Sequence, residues 1–327
     1  MDKDLLEGLT VRPATLEDVE TIYGLVRTYD LAQYGEEDST LDDVRTWHSA
    51  PGVNLAEDTR VVFDQTGRLI SWLMLEHRLN AKCFITIRVL PDSNDPRVSD
   101  YLMHLSEGWA RERMIQAEPG VRVSLNAWVP STDQDSLNRC ERAGFREIRR
   151  HWRMEIELNE MPAAPEWPQG VELRPFMSGY DDRRVFEAIN TAFQDHWGYM
   201  PEPYDEWRHY TVERAGFDPS LWFIAYEGDQ IAGISLCAIY GQFGAVDTLG
   251  VLRPWRRKGL GLALLQHSFG EFYRRGLRKA YLGVDSQSLT GATRLYTRAG
   301  MHVAREYISF EKELRAGVEL STQALSV

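Results

Sequence analysis

The stretch Val251-Leu252-Arg253-Pro254-Trp255-Arg256-Arg257-Lys258-Gly259-Leu260-Gly261-Leu262-Ala263 joins the end of an apolar strand to the start of an amphipathic helix. Pro254 keeps the chain extended before the turn. Three cations follow, then Gly-x-Gly, then an amphipathic helix with Leu260, Leu262, Leu264, Leu265, Phe269 and Phe272 apolar. A strand-to-helix turn with small residues lets backbone N–H groups wrap a phosphate, and the helix N-terminus adds a favourable dipole. Arg256, Arg257 and Lys258 stand where cations oppose that dipole, a placement that makes sense if an anion sits there. The plainer reading is a solvated basic turn with two packing glycines. A Walker A loop is ruled out, because Gly-x-x-x-x-Gly-Lys-Ser/Thr is missing. A dinucleotide fingerprint needs a third glycine.

Outward from this stretch, the chain repeats once. Val11-Arg12-Pro13 returns as Leu173-Arg174-Pro175, an offset of 162. Gly67-Arg68-Leu69-Ile70 returns as Gly228-Asp229-Gln230-Ile231 at 161, and Val89-Leu90 as Val251-Leu252 at 162. Arg142-Ala143-Gly144-Phe145 returns as Arg298-Ala299-Gly300-Met301 at 156. A period this long means two copies of a domain, not a solenoid. The expected organisation is a first domain over 1–160, a Pro-rich extended linker over 161–170, a second domain over 171–315 and a fraying tail over 316–327. Each copy reads as mixed α/β. In copy two, strands are expected at 171–175, 221–227, 230–240, 244–251, 279–284 and 303–314, with helices at 181–191, 205–215, 259–275 and 291–299. Copy one follows the same order, and its last strand, 147–158, is expected to close its own sheet.

Composition bounds the function. The 327 residues suit about two domains at roughly 150 residues each. With 43% apolar and 26% charged residues, the chain is ordinary for a globular protein. No uncharged apolar run reaches the roughly 18–20 residues of a membrane span. The opening Met1-Asp2-Lys3-Asp4 lacks a secretory h-region. Cys83, Cys140 and Cys237 are too scattered for a disulfide framework or a zinc site, so a cytoplasmic protein without metal is expected. A net charge of −12 disfavours nucleic-acid binding. The charge is uneven: residues 1–165 carry −10 and residues 166–327 carry −2.

Arg256-Arg257-Lys258-Gly259-Leu260-Gly261 resembles the Gln/Arg-x-x-Gly-x-Gly/Ala pyrophosphate loop of the GNAT superfamily of N-acetyltransferases. Leu295-Tyr296-Thr297-Arg298-Ala299-Gly300-Met301 resembles the downstream Leu-Tyr-x-x-x-Gly-Phe signature of that family. With the repeat, the whole chain is similar to tandem acetyltransferases, the architecture of mycothiol synthase. The resemblance implies an α/β (α+β) fold class: two tandem GNAT folds, each a mixed, mostly antiparallel twisted sheet with a V-shaped splay, flanked by helices. It implies acetyl-CoA as cosubstrate. Leu249, Gly250 and Val251 would offer backbone groups to the acetyl and pantetheine units, and Arg256, Arg257, Lys258, Gly259, Leu260 and Gly261 would hold the pyrophosphate. Where the family often has an Asn, this chain has Leu289, so Ser286, Gln287 or Ser288 is expected to replace that polar contact.

Acetyl transfer to an amine needs a neutral amine, a donor for the oxyanion and a proton for the leaving thiolate. The resemblance gives Tyr296 the last role; the Val251 N–H is the candidate oxyanion donor. Asp247 is the candidate base, because strict alternation over four residues puts it on the same face as Val251. A solvated acid is an equally good reading of Asp247, and Asp285 suits a turn. For the acceptor, Asp195, His196, Trp197 and Tyr199 form an aromatic and acidic segment suited to a cationic amine, with Tyr204, Trp207, Glu202 and Asp205 nearby; a packed loop over the sheet is the alternative.

Copy one aligns differently. Val89-Leu90 is followed by Pro91-Asp92-Ser93-Asn94-Asp95-Pro96, without either glycine, and Cys140 falls opposite Tyr296. Two carboxylates repel a pyrophosphate. Copy one is therefore expected to be a degenerate GNAT domain. The expected function is an acetyl-CoA-dependent N-acetyltransferase acting on a small primary amine by direct transfer, as a monomer or homodimer without nucleic-acid or membrane partners. The alternatives are a silent acyl-CoA-binding module and an enzyme directed at protein lysines or N-termini.

Overall fold

A computed structural model describes residues 7–93 and 95–323. Met1–Asp4, Asn94 and the last four residues of the tail lie outside the described residues. In chain order the elements are β1 (Thr10–Arg12), α1 (Val19–Tyr34), α2 (Leu41–His48), α3 (Leu55–Asp58), β2 (Thr59–Phe63), β3 (Leu69–Arg78), β4 (Lys82–Val89), α4 (Pro96–Gln116), β5 (Val123–Pro130), α5 (Gln134–Arg142) and β6 (Arg146–Glu157). They continue with β7 (Val171–Pro175), α6 (Asp182–Phe193), α7 (Tyr204–Tyr210), β8 (Trp222–Glu227), β9 (Gln230–Tyr240), β10 (Phe243–Val251), α8 (Leu260–Arg274), β11 (Lys279–Asp285), α9 (Ala292–Arg298) and β12 (His302–Arg315). Helix α7 stops at Tyr210, short of the expected 215; Thr211 bonds back through its hydroxyl to the Trp207 carbonyl at 2.7 Å, and the chain then turns.

The chain divides into two compact units, Met1–Arg149 with Tyr307–Leu320, and Arg150–Glu306 with Ser321–Val327. These are not the continuous spans 1–160 and 171–315. In the first unit β1 to β5 pair in sequence order, and the strand beside β5 is the second half of β12, with Ile308 opposite Val129 and Phe310 opposite Ala127. In the second unit the order is β7-β8-β9-β10-β11, closed by the later part of β6, with Met154 opposite Leu282. Each unit is thus completed by the last strand of the other copy. The expectation that 147–158 and 303–314 close their own sheets is corrected. Both strands alternate apolar and polar residues, a pattern that suits any edge and names no partner.

The second unit positions the site. Its sheet has an apolar layer on each face. Leu264, Leu265, Phe269 and Phe272 of α8 pack with Val246, Ala280 and Leu282 on one side. Val185 and Ala188 of α6 and Trp207 of α7 pack with Ile224 and Ile234 on the other. Gly244 turns to the α8 face, where a Cβ would stand 2.5 Å from the Phe272 ring.

The segment expected as a linker is extended but packed. Trp167 meets the His267 ring of α8 at 5.7 Å. The described part of the tail is also held. Thr322 accepts from the Gly198 N–H at 2.7 Å and donates its own N–H to Tyr199 O at 3.0 Å.

A fragment of residues 1–160 therefore lacks a strand of its own unit. Ile308 and Phe310 are buried there, each worth about 1.5–3 kcal/mol, against a total stability of about 5–15 kcal/mol. The expected outcome is a fragment without a cooperative thermal transition in calorimetry, while the full chain keeps one. A fragment that melts as sharply as the full chain would contradict this strand assignment.

Candidate active site

Strands β10 and β11 run parallel but share only three register pairs, Phe243–Lys279, Gly244–Ala280 and Ala245–Tyr281. Beyond Ala245, β10 stays paired with β9 through Val251, while β11 stays paired with β6 through Asp285. The two strands part, so Thr248 to Val251 have no β11 partner. A bulge at Asp247, between Val246 and Thr248, accompanies the parting. It also shifts the side-chain alternation. Gly244 and Val246 face α8 before the bulge; after it, Val251 does, with its Cγ2 lying 3.6 Å from a Cβ built on Gly261. Gly250 faces α6, where a Cβ would meet Ala192 at 3.0 Å and the Phe193 ring at 3.4 Å.

A cavity of about 790 Å³ opens here. Its wall takes Leu249, Gly250 and Val251 from β10, residues 259–263 and Gln266 from α8 and its cap, and Tyr296 from α9. Ala192 and His196 contribute from the α6 side. The lining thus comes from both faces of the sheet, which the parting of β10 from β11 permits.

The turn into α8 has two left-handed residues and an uncapped helix start. Arg257 has φ of 63° and Gly259 of 87°, both left-handed. At Gly259 nothing lies within 4 Å of a built Cβ, so backbone conformation is what favours glycine there. Gly261 is different: a Cβ would press on Leu295 at 3.2 Å, so its role is close packing of α8 on α9. Helix α8 has no side-chain cap, which leaves its first N–H groups without a capping acceptor. Arg257 and Lys258 are exposed and make no ion pair among the described residues. Trp255 steadies the turn by donating to Glu227 at 3.0 Å.

Arg256 is placed differently from its expected phosphate role. Its Nε donates to Val251 O at 2.9 Å, one Nη to Ala192 O at 3.0 Å and the other to Asp195 at 2.7 Å. Asp195 is 2% exposed and also binds Arg253. Bonding to Arg253, then Arg256, holds its carboxyl down at about 2. Asp195 is therefore a buried clamp joining α6 to the end of β10, and its oxygens are already taken. An acid expected to bind the acceptor is instead paired with two cations, because both guanidinium groups reach it only in the folded chain.

Other expected residues scatter. Tyr199 donates to Asn190 at 2.6 Å. Neither Tyr199 nor Trp197 lines the cavity, whereas His196 does. Tyr204 and Trp207 belong to the apolar cluster with Phe186. Asp247 does not share a face with Val251, because the bulge breaks the alternation; it accepts from Tyr240 at 3.3 Å and has Arg214 at 4.0 Å. Ser288 bonds with Thr290 and the start of α9 instead of lining the cavity. Thr290 lines it, and so do Ala163, Ala164 and Glu166 of the Pro-rich segment; no motif in the sequence marked these. Asp285 holds the turn expected of it, accepting from the Gln287 N–H at 2.9 Å.

Tyr296 is buried against the cavity, and burial pushes its phenol up to about 12. No described residue hydrogen-bonds to its hydroxyl. It is therefore a protonated, unpartnered donor at neutral pH.

The first unit carries the same parting without the site. β4 and β5 pair only from Lys82–Ser124 to Ile85–Ala127. The space beyond is about 20 Å³, with Arg88, Trp128, Arg139 and Cys140 in its wall. Asp95 caps α4 by accepting from the Arg97 N–H at 2.9 Å, and Asp92 pairs with Arg68 at 2.9 Å. The chain's own carboxylate occupies the N-terminus that stays uncapped in α8.

Residues 183–301 match the acetyltransferase (GNAT) family. The crystal structure of a GCN5-related N-acetyltransferase from Sphaerobacter thermophilus is 33% identical, covers 97% of this chain and 99% of its own, and superposes with a TM-score of 0.80. The chain belongs to the GCN5-related N-acetyltransferase (GNAT) family and is an N-acetyltransferase. The mycothiol acetyltransferase of Streptomyces scabiei (strain 87.22) is 28% identical over 239 residues, 68% of this chain and 73% of that protein. A tandem GNAT protein from the clavulanic acid biosynthesis pathway shares the fold, with a TM-score of 0.73 at 15% identity over 95% of this chain and 100% of its own. The expected tandem GNAT fold is thus borne out. Among the described residues no helix is long and apolar enough to cross a membrane.

Gly259→Asp puts a carboxylate at the uncapped turn and strains a left-handed position. Calorimetry is expected to show acetyl-CoA affinity reduced at least about tenfold, because the new carboxylate repels the pyrophosphate at the helix N-terminus. Unchanged affinity would place the phosphate elsewhere.

Proposed function

We propose that the second unit transfers the acetyl group of acetyl-CoA to a small primary amine, directly, with both substrates bound. One observation carries this reading: a single cavity joins the uncapped N-terminus of α8 to the unpartnered hydroxyl of Tyr296. The residues present fit the cosubstrate. Arg257, Lys258 and the N–H groups from Gly259 to Gly261 hold its pyrophosphate. The free edge of Leu249, Gly250 and Val251 takes the pantetheine amides in the place of a β11 partner. The Val251 N–H stabilises the oxyanion. Tyr296 gives its proton to the departing thiolate. A relative named mycothiol acetyltransferase supports a small-molecule acceptor.

The test is acetyl-CoA consumption against a panel of amines, beside Tyr296→Phe. The variant should keep acetyl-CoA affinity and lose about 10²-fold or more in kcat. Full activity in the variant would remove Tyr296 from the reaction.

The first unit is proposed to be a degenerate copy that binds no acetyl-CoA, since its space is small and its helix N-terminus is already capped. Calorimetry is expected to give one acetyl-CoA per chain; a stoichiometry near two would overturn this.

A further inference from the structure

Neither Asp247 nor Asp195 lines the cavity, so another group must accept the amine proton. The cavity wall narrows the choice. Among the described residues, its carboxylates reduce to Glu166 and its imidazoles to His196. Glu166 is exposed and lies beside Trp167, which packs on α8, away from α6. His196 sits on the opposite side. Its ring packs on Phe193 at 4.4 Å, and the Phe193 ring reaches within 3.4 Å of a Cβ built on Gly250. The imidazole thus enters the cavity beside the Phe193 ring, which in turn covers Gly250 of β10. Its backbone is fixed by a bond from its N–H to Phe193 O at 2.8 Å, while neither ring nitrogen hydrogen-bonds to another described residue. Thr322 accepts from Gly198, two residues on, and so holds the segment that presents the ring.

We infer that His196 is the general base of the acetyl transfer, taking the proton of the attacking amine at a ring nitrogen. This rests on the N-acetyltransfer reading of the same cavity. The charges around the ring suit the role. Burial first, and then the positive charge of Arg256, push the imidazole below its ordinary value, against smaller opposite pulls from Asp195 and Asp285. The ring is therefore neutral at neutral pH. The acceptor enters as its free amine, the ammonium proton having gone to solvent. The nitrogen lone pair forms the C–N bond while the carbonyl pair moves to oxygen. The nitrogen then gives a proton to His196. The carbonyl re-forms, the C–S pair leaves with sulfur, and the thiolate takes the proton of Tyr296. The imidazolium proton returns to Tyr296 through solvent. The sum is an amide, free CoA and the one proton released from the ammonium.

The experiment compares the full-length protein with His196→Gln in three measurements. First, the imidazole signals of the protein alone are titrated by NMR; the signal missing in the variant belongs to His196. It should titrate below about 6.5, the ordinary histidine value. Second, acetyl-CoA binding is measured by calorimetry and should be retained, which also shows that the variant folds. Third, kcat is followed against pH at saturating amine. The parent should lose rate on the acid side as the ring is protonated, and the variant should lose that limb and about 10²-fold or more of kcat. 4-Methylimidazole should partly restore His196→Ala. A His196 signal titrating at or above the ordinary value overturns the inference. So does a variant that keeps both kcat and the acid limb. If the panel fails and only a lysine-containing peptide is acetylated, the small-amine reading falls, and the same losses measured with that peptide still support His196.

Discussion

The second unit depends on one interruption of hydrogen bonding. Two parallel strands begin a ladder at Phe243–Lys279 and abandon it after Ala245–Tyr281. Unpaired backbone groups are costly unless something else satisfies them. Here β9 holds the other edge of β10 through Val251 and β6 holds the other edge of β11, so each strand stays rigid while the gap stays open. The bulge at Asp247 makes the gap useful. It sends Val251 to the α8 face and Gly250 to the α6 face, so one strand serves both sides of the cavity.

The same parting occurs between β4 and β5, yet there it produces almost no space. There Arg88, Trp128 and Arg139 wall what space remains, and the helix that follows is also satisfied differently. Helix α4 begins with a Pro and is capped by Asp95. Helix α8 begins after a left-handed glycine and has no side-chain cap. A helix end with free N–H groups invites an external anion, and one holding its own carboxylate does not. This also gives the uneven charge of the halves a partial cause: acids of copy one stand where copy two keeps cations.

Much of this was legible beforehand where information is local. Gly259 and Gly261 marked the turn and the close helix, although for two different reasons that only the contacts separate. The β-hairpin of 222–240 and helix 260–274 followed from periodicity. Asp247 was misplaced because alternation assumes an unbroken strand, and nothing in Val246-Asp247-Thr248 announces a bulge. Asp195 and Arg256 were assigned to two different ligands, yet they bind each other. Their separation of 61 residues hides a contact of 2.7 Å. The Pro-rich segment looked like a spacer because proline content reports stiffness and not what the chain lies against.

By itself the sequence determined the doubling of the fold, the order of its elements and the glycine turn that starts α8. These rest on backbone conformation and on spacing along the chain, which neighbouring residues encode. Only the tertiary structure decided which strand closes each unit, which charges pair and which side chains line the cavity. An edge strand can pair with any matching edge, and a carboxylate binds whichever cation folding brings within reach. Such choices depend on proximity in space, and residue order along the chain does not carry it.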